Sequence, residues 1–239
     1  MQPFERLRAL ARWHEDDDTL LASEAAECLS AFDGDPAGLV VSCRQLLAHH
    51  APAGALWWVC ARVLCAPDGP DAAWTAWRLL RDDQTSHRLS ALLPFPHDDP
   101  IAVFGRTAAI SRALAERPDL DTFRVGSGDG LSGVRPSHLL VEARAVGGST
   151  ALVAAGAGGV IASIRNQGGL VWLVAPTGRV LPQRLFEALD TAVGTDPSVD
   201  RITLADVERI AGSTGLDAPA RISRRIDCPV APELLRPTG

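Results

Sequence analysis

Hydrophobic positions recur at helical spacing from the start of the chain to about residue 93. Phe4, Leu7, Leu10 and Ala11 form one stripe, and Leu21, Ala25, Cys28, Leu29 and Phe32 a second. Such i, i+3, i+4 spacing marks a helix face turned inward. The run Asp16-Asp17-Asp18-Thr19 supplies capping oxygens just before the second stripe. Asp33-Gly34-Asp35-Pro36 closes that helix and opens the next, with Asp35 as N-cap and Pro36 in the first turn. Leu39, Cys43, Leu46 and Leu47 follow. Leu56, Val59, Cys60, Val63 and Leu64 come after Ala51-Pro52-Ala53-Gly54, and Ala73, Trp74, Trp77 and Leu80 after Asp68-Gly69-Pro70. The pattern predicts a run of short antiparallel helices joined by tight turns.

Pro94-Phe95-Pro96-His97-Asp98-Asp99-Pro100 interrupts that rhythm. Its prolines make a stiff extended connector, and the reading places a domain boundary at 94–100. Beyond it the period changes. Ile101 to Phe104, Thr122 to Val125, His138 to Val146 and Leu170 to Ala175 read as strands. Thr107 to Arg117 reads as a helix ended by Pro118. Val153 to Ile164 reads as a helix with a glycine-rich entry, and Leu181 to Val193 as another helix. The expected fold class is α/β: a helical N-terminal domain (1–93), then a Rossmann-like parallel-sheet domain (101–239).

Composition narrows the function classes. The charge of −6 lacks the clustered cations that general nucleic-acid binding requires. Every basic residue other than histidine is arginine, so Schiff-base chemistry and lysine-dependent phosphate sites are excluded. No tyrosine is present to serve as an acid. Cys28, Cys43, Cys60, Cys65 and Cys228 are odd in number, and four sit in apolar helical stretches. Buried reduced thiols, a reducing compartment and a cytoplasmic location are expected. The charged N-terminus is unlike a signal peptide, and no apolar run is long enough to span a membrane.

Several constellations carry candidate chemistry. Gly128-Asp129-Gly130-Leu131-Ser132-Gly133 matches G-x-G-x-x-G, but Val134-Arg135-Pro136 and a strand follow where a dinucleotide site needs a helix. A flexible glycine loop is the better reading. Gly105-Arg106-Thr107 lies where the first strand turns into its helix, the edge at which open parallel sheets bind ligands. Helix-opening amides, a guanidinium and a hydroxyl there suit a phosphate; the competing reading is a helix cap with a surface arginine. Gly147-Gly148-Ser149-Thr150 and Gly156-Ala157-Gly158-Gly159 either let a ligand approach backbone amides or serve close helix–sheet packing. His97, Asp98 and Asp99 read as a solvated turn. Cys60 and Cys65 near His49 and His50 have the wrong spacing for zinc, and no metal or cofactor is expected. The pairs Trp57-Trp58 and Trp74, Trp77 read as core rather than a stacking platform.

Four blocks of the second half resemble one family, the regulatory subunits of eukaryotic translation initiation factor two-B together with methylthioribose-1-phosphate isomerase. These belong to the ribose-5-phosphate isomerase and CoA transferase superfamily. IAVFGRTAAISRAL (Ile101–Leu114) is similar to the family's strand-turn-helix block. LLVEARAVGGSTALVAAGAGGVIA (Leu139–Ala162) resembles its LVGADAV…NKVGTY block, VWLVAPTGRVLP (Val171–Pro182) its FYVAAPTSKFDP block, and IDCPVAPELL (Ile226–Leu235) its FDVTPPELI ending. The resemblance implies a helical domain before a Rossmann-like one, a homodimer and a sugar-phosphate pocket. It also implies that catalysis is lost. The isomerases place cysteine where this chain has Gly105, and aspartate where it has Arg144; their Asn-Lys pair falls at about Val153 and Ala154. Neither glycine nor arginine moves a proton at neutral pH. The expected ligand-binding residues are Gly105, Arg106, Thr107, Arg144, Gly156 and Gly158, holding a phosphorylated small molecule without turning it over. The alternatives are an isomerase with a rearranged site, using Glu142 or Asp227 as base, and a protein-interaction module. Arginine- and alanine-rich, lysine-free composition suggests a bacterial source.

Overall fold

The computed structural model describes residues 3–13, 17–32, 34–93, 99–105, 107–128 and 134–235. The chain divides into two compact units. One comprises Met1–Asp82, Thr177–Thr195 and Ile226–Gly239; the other comprises Asp83–Pro176 and Asp196–Arg225.

The helical unit contains α1 (Pro3–Leu10), α2 (Asp18–Leu29), α3 (Pro36–His49), α4 (Gly54–Cys65), α5 (Gly69–Arg81) and, from later in the chain, α9 (Gln183–Val193). Its helix starts follow the sequence signals. Asp17 Oδ1 accepts the amides of Thr19 and Leu20, both at 3.0 Å. Asp35 caps Gly38 at 2.8 Å, and Asp68 caps Asp71 at 3.0 Å. Each such cap stabilises its helix by about 1 kcal/mol. α4 is the central helix, buried along nearly its whole length, including Trp57 and Trp58. Returning segments are stitched to it by polar contacts. Trp58 Nε1 donates to Asp227 Oδ1 at 2.7 Å, and Arg62 Nη1 to the Asp227 carbonyl at 2.8 Å. The Arg179 guanidinium, 2% exposed, pairs with Asp18 at 2.9 Å and reaches Thr19 Oγ1 at 3.1 Å.

Two expectations change here. Trp74 is 43% exposed and stacks on Trp77 with ring centroids 4.4 Å apart. The buried stripe of α5 is Ala73, Ala76 and Leu80, so both tryptophans lie about one residue, or 100°, around the helix from the core. Cys65 is exposed, because it ends α4; Cys28, Cys43, Cys60 and Cys228 are buried and reduced. Burial pushes the Cys60 thiol well above its usual range, with Cys43 beside it adding to the shift. Burial likewise lifts Cys228 to about 12.

The sheet unit holds α6 (Thr85–Leu92), β1 (Ile101–Phe104), α7 (Ala108–Ala115), β2 (Thr122–Val125), β3 (His138–Val146), β4 (Thr150–Ala154), α8 (Ala157–Asn166), β5 (Leu170–Ala175), β6 (Val199–Thr203), β7 (Arg209–Gly212) and β8 (Gly215–Asp217). Strand order along the main path is β2-β1-β3-β5-β7-β8. The pairs from β2 through β7 are parallel, and β8 adds antiparallel to β7. β4 turns back antiparallel on β3, and β6 pairs antiparallel with β4. α6 and α7 cover one face, where Leu89, Ile110, Ile101, Val103, Leu140, Trp172 and Val174 form a continuous core. Val160, Ile161 and Ile164 of α8 are buried as well.

The four strands read from the sequence have the bounds given above. The segment read as one helix from Val153 to Ile164 is instead the end of β4 followed by α8. Gly156, at φ +86°, ends the extended run, and the helix begins only after it. β4 has no strand signature of its own because Ala151 to Ala154 is a short apolar run, without polar alternation, that continues into a glycine- and alanine-rich helix; the strand is buried at Ala151, Leu152 and Val153.

Candidate functional site

β1 lies between β2 and β3, and the chain leaves it first to one side, through α7 to β2, and then to the other. That reversal makes the C-terminal end of β1 a switch point, where the connections diverge and leave a crevice. Gly105 and Thr107 occupy it. Gly105 adopts φ +70°, and a Cβ at this position would meet nothing within 4 Å among the described residues. Its amide donates to the Val125 carbonyl at the end of β2 at 3.0 Å. Thr107 is the N-cap residue of α7 but makes no side-chain cap bond. Its Oγ1 is buried and has no hydrogen-bond partner among the described residues. A buried hydroxyl of that kind is uncommon, because an unmade bond costs about 1–3 kcal/mol. Arg106 lies outside the described residues, as do residues 129–133 of the glycine motif and residues 94–98 of the connector, His97 and Asp98 among them.

Glu142 stands level with this turn. The parallel register pairs Val103 with Leu140 as its last pair, and Gly105 and Glu142 each lie two residues further along their chains. Alternation keeps Glu142 on the face of Leu140, the face covered by α6 and α7. Its Oε2 is buried.

Arg144 sits at a β-bulge. Ala143 and Ala145 of β3 face Val153 and Leu152 of β4, so Arg144 is the extra residue. Bulges re-aim the side chain they carry. The guanidinium acts on Asp196, just before β6. The amide and hydroxyl of Ser198 hold the Asp196 carboxyl below its usual range, and Arg144 adds a smaller attraction in the same direction.

The glycines at the start of α8 are engaged within the protein. A Cβ on Gly156 would lie 2.9 Å from the Ser127 Cα and closer still to the Ser127 side chain. Gly158 donates its amide to Asp200 Oδ2 of β6 at 2.9 Å, so a carboxylate already stands at the positive end of the helix. Residues 125–127 therefore touch both the Gly105 turn, through Val125, and the entry to α8, through Ser127. Ser127, Asp196 and Asp200 were absent from the sequence expectations. Asp196 and Asp200 lie in a stretch without local strand or helix signals, and Ser127 immediately precedes the glycine motif. Asp227 belongs to the helical unit and is bonded to the buried Trp58 indole. Cys60 is buried and Cys65 exposed. Among the described residues no cluster of metal-ligating side chains is present.

Topology defines a class: a chain with a helical unit and a Rossmann-like, mostly parallel sheet whose strand order reverses at β1. In that class the chain shares its fold with eIF2B subunits and 5-methylthioribose 1-phosphate isomerase. The translation initiation factor eIF-2B of Pyrococcus horikoshii is similar with TM-score 0.69 at 11% identity, over 92% of this chain and 98% of that one. A chain of the tetrameric eIF2B-beta2-delta2 complex of Chaetomium thermophilum gives 0.74 at 12% identity, covering 93% and 92%. The 5-methylthioribose 1-phosphate isomerase of P. horikoshii gives 0.63 at 11%, covering 94% and 87%. No protein-family model matches the sequence, and no curated protein matches it. The fold is the one the four sequence blocks implied.

Proposed function

We propose that the sheet unit binds a phosphorylated small molecule, a sugar phosphate or nucleotide, at the Gly105 turn, without catalysing its conversion, and that the chain acts as a homodimer. One observation carries the reading: among the described residues the Thr107 hydroxyl is buried and unpartnered at the start of α7, beside a glycine whose side-chain space is open. Helix-opening amides and a hydroxyl are the groups that hold a phosphoryl oxygen. Arg106 and Arg144 are the cations assigned to the ligand, Arg144 shared with Asp196. Gly156 and Gly158 shape the crevice through Ser127 and Asp200. The solved relatives support a pocket of this kind in this fold, since one of them acts on a sugar phosphate by its name.

A ligand held at one hundred times its dissociation constant stabilises a protein by about 2.7 kcal/mol, or roughly 5–10 °C at this chain length. Thermal-shift titration with ribose 5-phosphate, AMP and inorganic phosphate tests this. Thr107→Val is expected to weaken the response roughly ten- to hundredfold, the worth of a hydrogen bond to a charged group. Stabilisation unchanged in Thr107→Val, Arg106→Ala and Arg144→Ala together removes the reading.

The register position of Glu142 favours a second reading, a rearranged aldose-ketose isomerase with Glu142 as base. Incubating the chain with ribose 5-phosphate or 5-methylthioribose 1-phosphate in deuterated water separates the two. Solvent deuterium at the carbon next to the carbonyl, lost in Glu142→Gln, establishes catalysis; its absence with binding intact establishes a binding protein.

A further inference from the structure

The helical unit has a partly open cavity of about 420 Å³ between α3, the start of α4, α9 and the turn at Pro232–Leu234. That volume falls within the range of small-molecule sites. Its walls are mainly apolar, from Leu47, Ala51, Trp57, Ala192 and Leu234, with Thr191 adding a hydroxyl. One charged side chain lines it, that of Arg44. The guanidinium is held in place from behind: Nε and Nη2 both donate to the Glu233 carbonyl, at 3.0 and 2.8 Å. A neutral carbonyl satisfies donors but cancels no charge, and no carboxylate pairs with Arg44 among the described residues. The Trp57 indole is fixed as well, with Nε1 donating to the Ala51 carbonyl at 3.0 Å.

We infer that this cavity is a binding site for an apolar monocarboxylate, such as a medium-chain fatty acid. The carboxylate would meet the remaining donors of Arg44, and the hydrocarbon would lie against Trp57 and the leucine and alanine walls. The argument rests on charge and surface together. A guanidinium with no carboxylate in ion-pair contact among the described residues, the Glu233 side chain included, suits a singly charged partner, and its fixed plane matches a planar carboxylate. The apolar walls reward a hydrocarbon body at about 25 cal/mol per Å² removed from water. A sugar phosphate has the wrong surface for these walls. The site belongs to the other unit and is independent of the Gly105 turn.

Isothermal titration of the full chain with octanoate, 1-octanol and inorganic phosphate tests the assignment. Octanoate is expected to bind saturably, with one site per chain. Arg44→Met keeps the bulk and removes the charge. It should weaken octanoate by about tenfold or more, as expected for a charge-assisted bond, and leave octanol unchanged. Ala192→Phe leaves Arg44 in place and fills the cavity; it should abolish binding of both. Octanoate binding equal in wild type and Arg44→Met overturns the inference, as does the absence of saturable binding. Self-association abolished by Ala192→Phe would assign the cavity to a second copy instead and overturn it equally.

Discussion

Single residues decide what the crevice can do. Gly156 shows how a glycine expected to admit a ligand can be required by packing. Its φ of +86° and the Ser127 backbone beside it both forbid a side chain. Gly156→Ala is expected to destabilise the protein by about 2–5 kcal/mol, strain and overpacking together, read as a lower urea midpoint. Gly105 shares the positive φ but has open space, so its demand is on the backbone alone. His138, at the far end of β3, governs a pH effect. Burial lowers its pKa below the usual 6.5, with Asp99 opposing. The unfolded chain therefore takes up the proton first, and stability falls as pH drops from about 6.5 to the lowered folded value, then levels off. Urea midpoints at about pH 7.5 and about pH 5.5 should differ less in His138→Gln than in the wild type, the carboxylates contributing equally to both.

At the scale of elements, α8 is set by a residue from a strand that sequence reading passed over. Asp200 of β6 holds the Gly158 amide in the place of an N-cap. Asp200→Ala is expected to cost about 1–2 kcal/mol, the range of a lost cap at a helix start, measured by chemical unfolding. Local signals made much of the fold legible. Asp17, Asp35 and Asp68 cap the helices their positions announced, and β1, β2, β3 and β5 are continuous apolar or alternating runs. β4 and β6 were hidden because their pairing is set at a distance: Thr150 to Ala154 takes its partners from Val199 to Thr203, about fifty residues on. The candidate site was legible to the same degree. The Gly105 turn follows from one strand and one helix, whereas Ser127 beside Gly156, Asp196 near Arg144 and Asp200 at Gly158 are brought there only by tertiary contacts. Arg144 shows the limit within one strand. Its bulge comes from β4, which has no local signal, and so its electrostatic pull on Asp196 has none either.

At the scale of the molecule, the proposed homodimer gives a direct measurement. Light scattering at micromolar concentration should return twice the chain mass; a monomer would remove that part of the proposal. The solved relatives include a chain from a tetrameric assembly, and closed symmetric assembly is common for chains of this size. The helical unit carries a different consequence. Its central α4 is pinned by Asp227, and α2 by Arg179, so contacts that complete it come from the last third of the sequence. On the ribosome, the first helices emerge long before those partners exist. Closing such long loops costs entropy before any contact repays it, which slows the search for the native state. The nascent helices must therefore wait with Trp58 and its apolar neighbours uncovered. That interval exposes the chain to aggregation and to chaperones, and its length is set by how quickly Arg179 and Asp227 are translated.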